Sequence, residues 1–152
     1  MKKIIIAALL VFFAFTQSNA QDYYTGIGFR GGLFNGLTVK HFVSQSNAIE
    51  GLLTSRWGGL QVAGLYEVHN QAFNTPGLNW YYGAGAHVGF WDSDNDHYDE
   101  STVIGIDGIL GIEYSIPGAP INIGLDWKPE LNLVGGYDHW GDGGALSIRY
   151  IF

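Results

Sequence analysis

The chain of 152 residues contains no cysteine, so neither a disulfide framework nor a thiolate metal site holds it together. Lysine and arginine are scarce: seven residues in all, against 14 acidic ones. That balance argues against nucleic acid as a partner, because phosphate binding needs the opposite sign. Basic residues are also confined. Apart from Lys2 and Lys3, none falls in a segment that reads as a loop. No segment beyond residue 20 carries a helical period. The longest apolar run, IIIAALLVFFAF at residues 4–15, is shorter than the about 20 residues that a spanning helix needs.

What is present begins with that run. Lys2 and Lys3 precede it and TQSNA follows it. A basic start, an apolar middle and a small-residue end read as a secretory signal peptide, residues 1–20, cut after Ala20. Residues 21–152 then form one domain. Removal of Lys2 and Lys3 leaves five basic residues against the 14 acidic ones. Glycine (23 residues) and aromatics are abundant, which suits twisted sheet better than helix.

Clusters of Gly, Pro, Asn and Asp divide residues 21–152 into eight expected strands. They are Thr25–Leu33, Leu37–Val43, Ile49–Trp57, Leu60–Gln71, Leu78–Trp91, Thr102–Tyr114, Ile121–Val134 and Gly144–Phe152. The connections alternate in kind. SQSN (44–47), FNTPG (73–77) and SIPGAP (115–120) are compact and would lie at one end. At the other lie FNG, GG and two long loops, DSDNDHYDE (92–100) and GGYDHWGDG (135–143). Short turns at one end and longer loops at the other are the habit of outer-membrane barrels, and an even strand count returns both termini to one side.

The stretch INIGLDWKPELNLV, residues 121–134, alternates apolar residues with Asn122, Asp126, Lys128, Glu130 and Asn132. Period two means a strand with one apolar and one charged face. Phasing every strand in this way gathers the charges on one face. It carries Arg30, Lys40, Glu50, Arg56, Glu67, Asp107, Glu113, Asp126, Lys128, Glu130 and Arg149. Five positive and six negative groups on a single face suggest mutual pairing. The interior of a narrow barrel demands that, because unpaired buried charge is costly. Glycines on the same face, among them Gly28, Gly85, Gly105 and Gly111, make room and permit curvature. Together these features predict an all-β fold, an eight-stranded antiparallel up-and-down transmembrane barrel.

The opposite face reads as lipid-facing, for example Trp80, Tyr82, Ala84, Ala86, Val88 and Phe90 in the fifth strand. Tyr23, Tyr24, Trp57, Trp80, Tyr82, Phe90, Tyr114, Tyr150 and Phe152 gather near strand ends, as interfacial girdles would. Leu52, Leu65, Ile109 and Ile151 break the pattern by falling on the charged face, and His41 by falling on the apolar one.

The closing residues LSIRYIF alternate Leu146, Ile148, Tyr150 and Phe152. With them, residues 21–152 resemble the small eight-stranded outer-membrane barrels of the OmpX and OmpA-barrel type. IPGAP followed by INIGLDWKP is similar to the penultimate strand of outer-membrane β-barrel domain proteins of Gram-negative bacteria. The resemblance implies a place in the bacterial outer membrane and assembly through the C-terminal strand by the outer-membrane assembly machinery. It also implies contact with outer-membrane lipid and lipopolysaccharide. A monomer without cofactor or enzymatic activity is expected, in a structural or surface-contact role.

Three other readings compete. Asp92, Asp94, Asp96, Asp99 and Glu100 form an acidic outer loop that invites divalent cations. His97 stands where a calcium loop needs Gly, however, and Val103 where it needs the closing Glu; a solvated acidic loop explains the pattern as well. A lipid A-modifying enzyme would need a nucleophile, base and acid in reach. His87, Asp107 and Ser147 all phase inward, where an interior hydrogen-bond network accounts for them too. A soluble lipocalin-like carrier also has eight strands, but its inside should be apolar.

Overall fold

The computed structural model describes residues 23–32, 35–56, 59–91, 101–134, 140–141 and 143–152. The expected signal peptide, the side chains of Arg56 and Trp57, and the acidic loop with Asp92, Asp94, Asp96, Asp99 and Glu100 lie outside the described residues. The strands are β1 (Thr25–Gly32), β2 (Asn35–Phe42), β3 (Asn47–Arg56), β4 (Gly59–Gln71), β5 (Leu78–Trp91), β6 (Ser101–Ser115), β7 (Ile121–Trp127), β8 (Glu130–Val134), β9 (Trp140–Gly141) and β10 (Gly144–Ile151). All pairings are antiparallel. The sheet runs β5-β4-β3-β2-β1-β10-β7-β6, and the β5–β6 pairing closes it. β7 with β8, and β9 with β10, each make one stave, so the barrel has eight staves. Closure removes the exposed edges that an open sheet would offer.

The expected continuous strand Ile121–Val134 is interrupted. Pro129 has no N–H to give the ladder, so Lys128 and Pro129 leave the regular pairing. The register nevertheless survives the break. Trp127 stands opposite Leu110 and Glu130 opposite Asp107, with two residues on each strand between them. Gly108 N–H donates to the Pro129 carbonyl at 2.9 Å, and Lys128 N–H to the Gly143 carbonyl at 3.0 Å. Alternation therefore continues across the proline. A bulge further on sets Ile104 opposite Val134 and Gly105 opposite Asn132, which leaves both Leu133 and Val134 on the outside. The expected loop 135–143 is also shorter than read, because Trp140 and Gly141 pair with Leu131 and Glu130.

Burial is inverted relative to a water-soluble barrel. Every Asp, Glu, Lys and Arg side chain among the described residues is buried. The outside carries Ile27, Phe29, Leu37, Leu53, Val62, Ile106, Leu125 and Ile148, with many more of their kind. Glycine makes the crowded interior feasible. A Cβ on Gly105 would stand 2.5 Å from the His87 ring, and one on Gly111 2.5 Å from the Tyr81 ring.

Candidate functional site

The barrel interior is the only region where polar chemistry is concentrated among the described residues, and it is layered. Along β3 the buried side chains run Ala48, Glu50, Leu52, Thr54; along β4 they run Asn70, His69, Glu67, Leu65, Ala63, Gln61; along β6, Ser115, Glu113, Ile109, Asp107, Val103. In each series apolar residues (Leu52; Leu65 and Ala63; Ile109) separate the polar groups of one end from those of the other. Leu52, Ala63, Leu65, Tyr81 and Ile109 pack together as one apolar layer. The three aliphatic residues that broke the sequence pattern mid-strand thus meet in a single septum. The fourth, Ile151, packs at the end with short turns against Tyr23, Phe42 and Ala48. His41 is exposed, and its Nδ1 lies 2.9 Å from Thr25 Oγ1.

On the short-turn side of the septum lies the inner cluster. Strict alternation on β2, β3, β4, β6 and β10 aims Lys40, Glu50, Glu67, Glu113 and Arg149 at one another. Lys40 Nζ lies 2.9 Å from Glu67, 3.4 Å from Glu113 and 3.8 Å from Glu50. Arg149 pairs with Glu50 and stands 3.7 Å from Glu113. Neutral donors and acceptors join them, while Glu50 Oε2, Glu67 Oε1 and His69 Nδ1 have no hydrogen-bond partner among the described residues. Tyr23 donates to Glu113 at 3.2 Å, and Arg149 donates to Thr38 and to Asn122 at 3.3 Å. His69 stands between two carboxylates, Nε2 at 2.9 Å from Glu67 and Nδ1 at 3.3 Å from Glu113. Its ring stacks on Tyr81 at 4.7 Å, and Lys40 lies 4.0 Å from the Tyr81 ring centre.

Tyr23 corrects one reading. It was expected in the lipid-facing girdle, yet it is buried inside against Glu113. It precedes the first strand, where no period could phase it, and the neighbouring Tyr24 N–H bonds Phe152 O at 3.3 Å. Sequence reasoning also left His69 and Tyr81 out of the interior set. Their signal was available, since both alternate in phase with inward neighbours, Glu67 and Asn79.

Beyond the septum, Arg30 of β1 makes a two-pronged pair with Asp126 of β7. The outer cluster comes next. Asp107 of β6 stands directly opposite Glu130 of β8, and His87 of β5 opposite Gly105. His87 Nδ1 bonds Asp107, and its Nε2 lies 2.9 Å from Asn132 Oδ1. Lys128 pairs with Glu130 and stands 3.5 Å from Asp107 Oδ2. Gln61 donates to Glu130 at 3.1 Å. A small cavity of about 20 Å³ adjoins it, lined by Arg30, Thr54, Lys128, Glu130, Gly144 and Ala145 among others. That volume holds about one water molecule.

His87 and Asp107 thus form a bonded pair, but Ser147 does not complete a triad. Its buried hydroxyl has no hydrogen-bond partner among the described residues, so nothing links it to His87.

These features define a class: a closed antiparallel barrel of eight staves, apolar outside and charged inside. Comparison with solved structures finds the same fold. The N-terminal β-barrel domain of Pseudomonas aeruginosa OprF superposes with a TM-score of 0.64 at 15% identity, over 83% of this chain and 96% of that one. No family model matches the sequence, and no curated protein matches it.

Proposed function

We propose that this chain is an integral barrel of the bacterial outer membrane, with a structural or surface-contact role and a lumen closed by its own side chains. One observation carries the reading: the described charged side chains all lie inside, while Ile, Leu, Val and Phe cover the outside. In water such an exterior is an aggregation hazard, whereas in a bilayer it is the apolar band that a spanning barrel needs. Closure of the hydrogen-bonded ladder satisfies the backbone within the membrane. The OprF barrel domain supports the reading at the level of fold.

Closure of the lumen follows from the same residues. Eight staves leave an interior that side chains can fill. Here the inner cluster and the septum of Leu52, Ala63, Leu65, Tyr81 and Ile109 fill it. The partners of such a protein are outer-membrane lipid and lipopolysaccharide around the barrel, and the assembly machinery that reads the β10 strand. It acts as a monomer.

The test is fractionation. The chain should be recovered from purified outer membranes and should migrate faster on a denaturing gel before boiling than after. Recovery in the soluble periplasm would overturn the membrane reading.

A further inference from the structure

We propose that His87, Asp107 and Glu130 form a binding site for a divalent transition-metal ion of the Zn²⁺ or Co²⁺ kind in the outer half of the lumen. One donor atom from each of the three lies within 4.8 Å of the others. They come from β5, β6 and β8, held by the rigid ladder of those staves rather than by a loop. Metal–ligand bonds of about 2.0–2.2 Å would draw these donors together by small side-chain rotations. An imidazole nitrogen with two carboxylate oxygens suits zinc-like ions. Calcium takes six or more oxygens and is poorly served here.

A second observation points to a ligand. Asp107 is 4% exposed, yet its Oδ2 accepts no hydrogen bond from any described residue. Buried carboxylate oxygens are normally satisfied. The nearest positive charge is Lys128 Nζ at 3.5 Å, and Lys128 leans instead on Glu130. Two carboxylates therefore share one ammonium. A divalent ion would coordinate the unbonded oxygen and supply the missing charge, and Lys128 would turn toward the cavity that it already lines. The inner cluster does not offer the same site. Glu50 Oε2 and Glu67 Oε1 are likewise without a hydrogen bond there, but His69 engages Glu67 and Glu113 through opposite ring nitrogens, so one nitrogen cannot share an ion with both, and two cations, Lys40 and Arg149, already offset the carboxylates.

The experiment uses the full chain, folded in detergent, with His41, His97 and His139 changed to Ala so that only the two interior histidines remain. Zn²⁺ is titrated by calorimetry and Co²⁺ by its visible absorption. One equivalent should bind. His87→Ala should weaken binding at least about 100-fold, as loss of a ligand requires. His69→Ala should leave it unchanged. Lys128→Met, which removes the competing ammonium, should tighten it about tenfold or more, and Zn²⁺ should raise that variant's unfolding midpoint. Asp107→Asn serves as the ligand variant if His87→Ala does not fold. Failure of both the parent and Lys128→Met to bind overturns the proposal. So does binding that survives loss of a ligand, or that moves with His69.

Discussion

The two charged clusters of the lumen are built from the same residue types, yet they are finished differently. In the inner cluster Lys40, Glu50, Glu67, Glu113 and Arg149 are fully buried. Two cations serve three carboxylates there, and Tyr23, Thr38, Asn122 and His69 supply further hydrogen bonds. In the outer cluster a single Lys128 serves Asp107 and Glu130, and a cavity adjoins. Carboxylate oxygens without a hydrogen bond occur in both, Asp107 Oδ2 here and Glu50 Oε2 and Glu67 Oε1 in the inner cluster. The difference teaches a division of labour. Depth and a second cation make the inner cluster a lock, which must be broken at the full cost of stranding buried charge. The outer cluster, less deep, with one lysine and a cavity beside it, is the better placed of the two for exchange with water or ions.

The sharpest way to break that contrast is at Lys40. Lys40→Met strands Glu67 beside Glu113 and Glu50, with only Arg149 to offset them. A loss of about 3–5 kcal/mol is expected, measured by denaturant unfolding of the barrel in detergent. Adding Glu67→Gln should recover part of that loss, because it removes the stranded charge rather than the pair. If the double variant is no more stable than Lys40→Met alone, the inner cluster is not held by charge balance.

Next in size is the septum. Leu65 is 2% exposed and meets Leu52, Ala63, Tyr81 and Ile109. Leu65→Ala should cost about 2–4 kcal/mol by cavity creation. The cavity would lie between the two clusters, so the variant should also let water through from one to the other. Faster hydrogen exchange at the β4 amides flanking Leu65, relative to those near Val68, would report this. Equal exchange in parent and variant would mean that the layer does not separate the clusters.

How much of this was legible in the sequence depends on the level asked about. Period two sufficed to place Asp126, Lys128 and Glu130 on one face, and the face survived the break at Pro129 because the register with β6 is unchanged across it. The break itself was missed, although a proline that cannot donate to a ladder announces one. Alternation also exposed Leu52, Leu65 and Ile109 as misfits. It could not show that they meet, because the height of a residue in the barrel depends on stagger between staves and not on position within one strand. The same limit hid the meeting of His87 with Asp107 and Glu130, which the pairing of β5, β6 and β8 brings about. His69 and Asn70 show another limit. They are consecutive and both buried at the end of β4, so a simple period fails where a strand runs into a turn.

The smallest expected effects compare the outer cluster with the acidic segment 92–100. Lys128 is 7% exposed and pairs at close range with Glu130, but it has the cavity beside it. Replacing it with Met leaves two carboxylates facing each other with His87 and Gln61 as their remaining partners. Water entering through the cavity would soften that penalty, so about 1–3 kcal/mol is expected, less than for Lys40. Asp94 sits in the acidic loop outside the described residues. Read from the sequence as part of a solvated acidic stretch, it should tolerate Asn within about 0.5 kcal/mol. Measured side by side in metal-free detergent, Lys128→Met should lower the unfolding midpoint clearly and Asp94→Asn should not. Equal effects would remove Lys128 from a paired lumen. Lys128→Met as costly as Lys40→Met would erase the distinction between lock and exchange site, since the outer cluster would then be as tightly closed as the inner one.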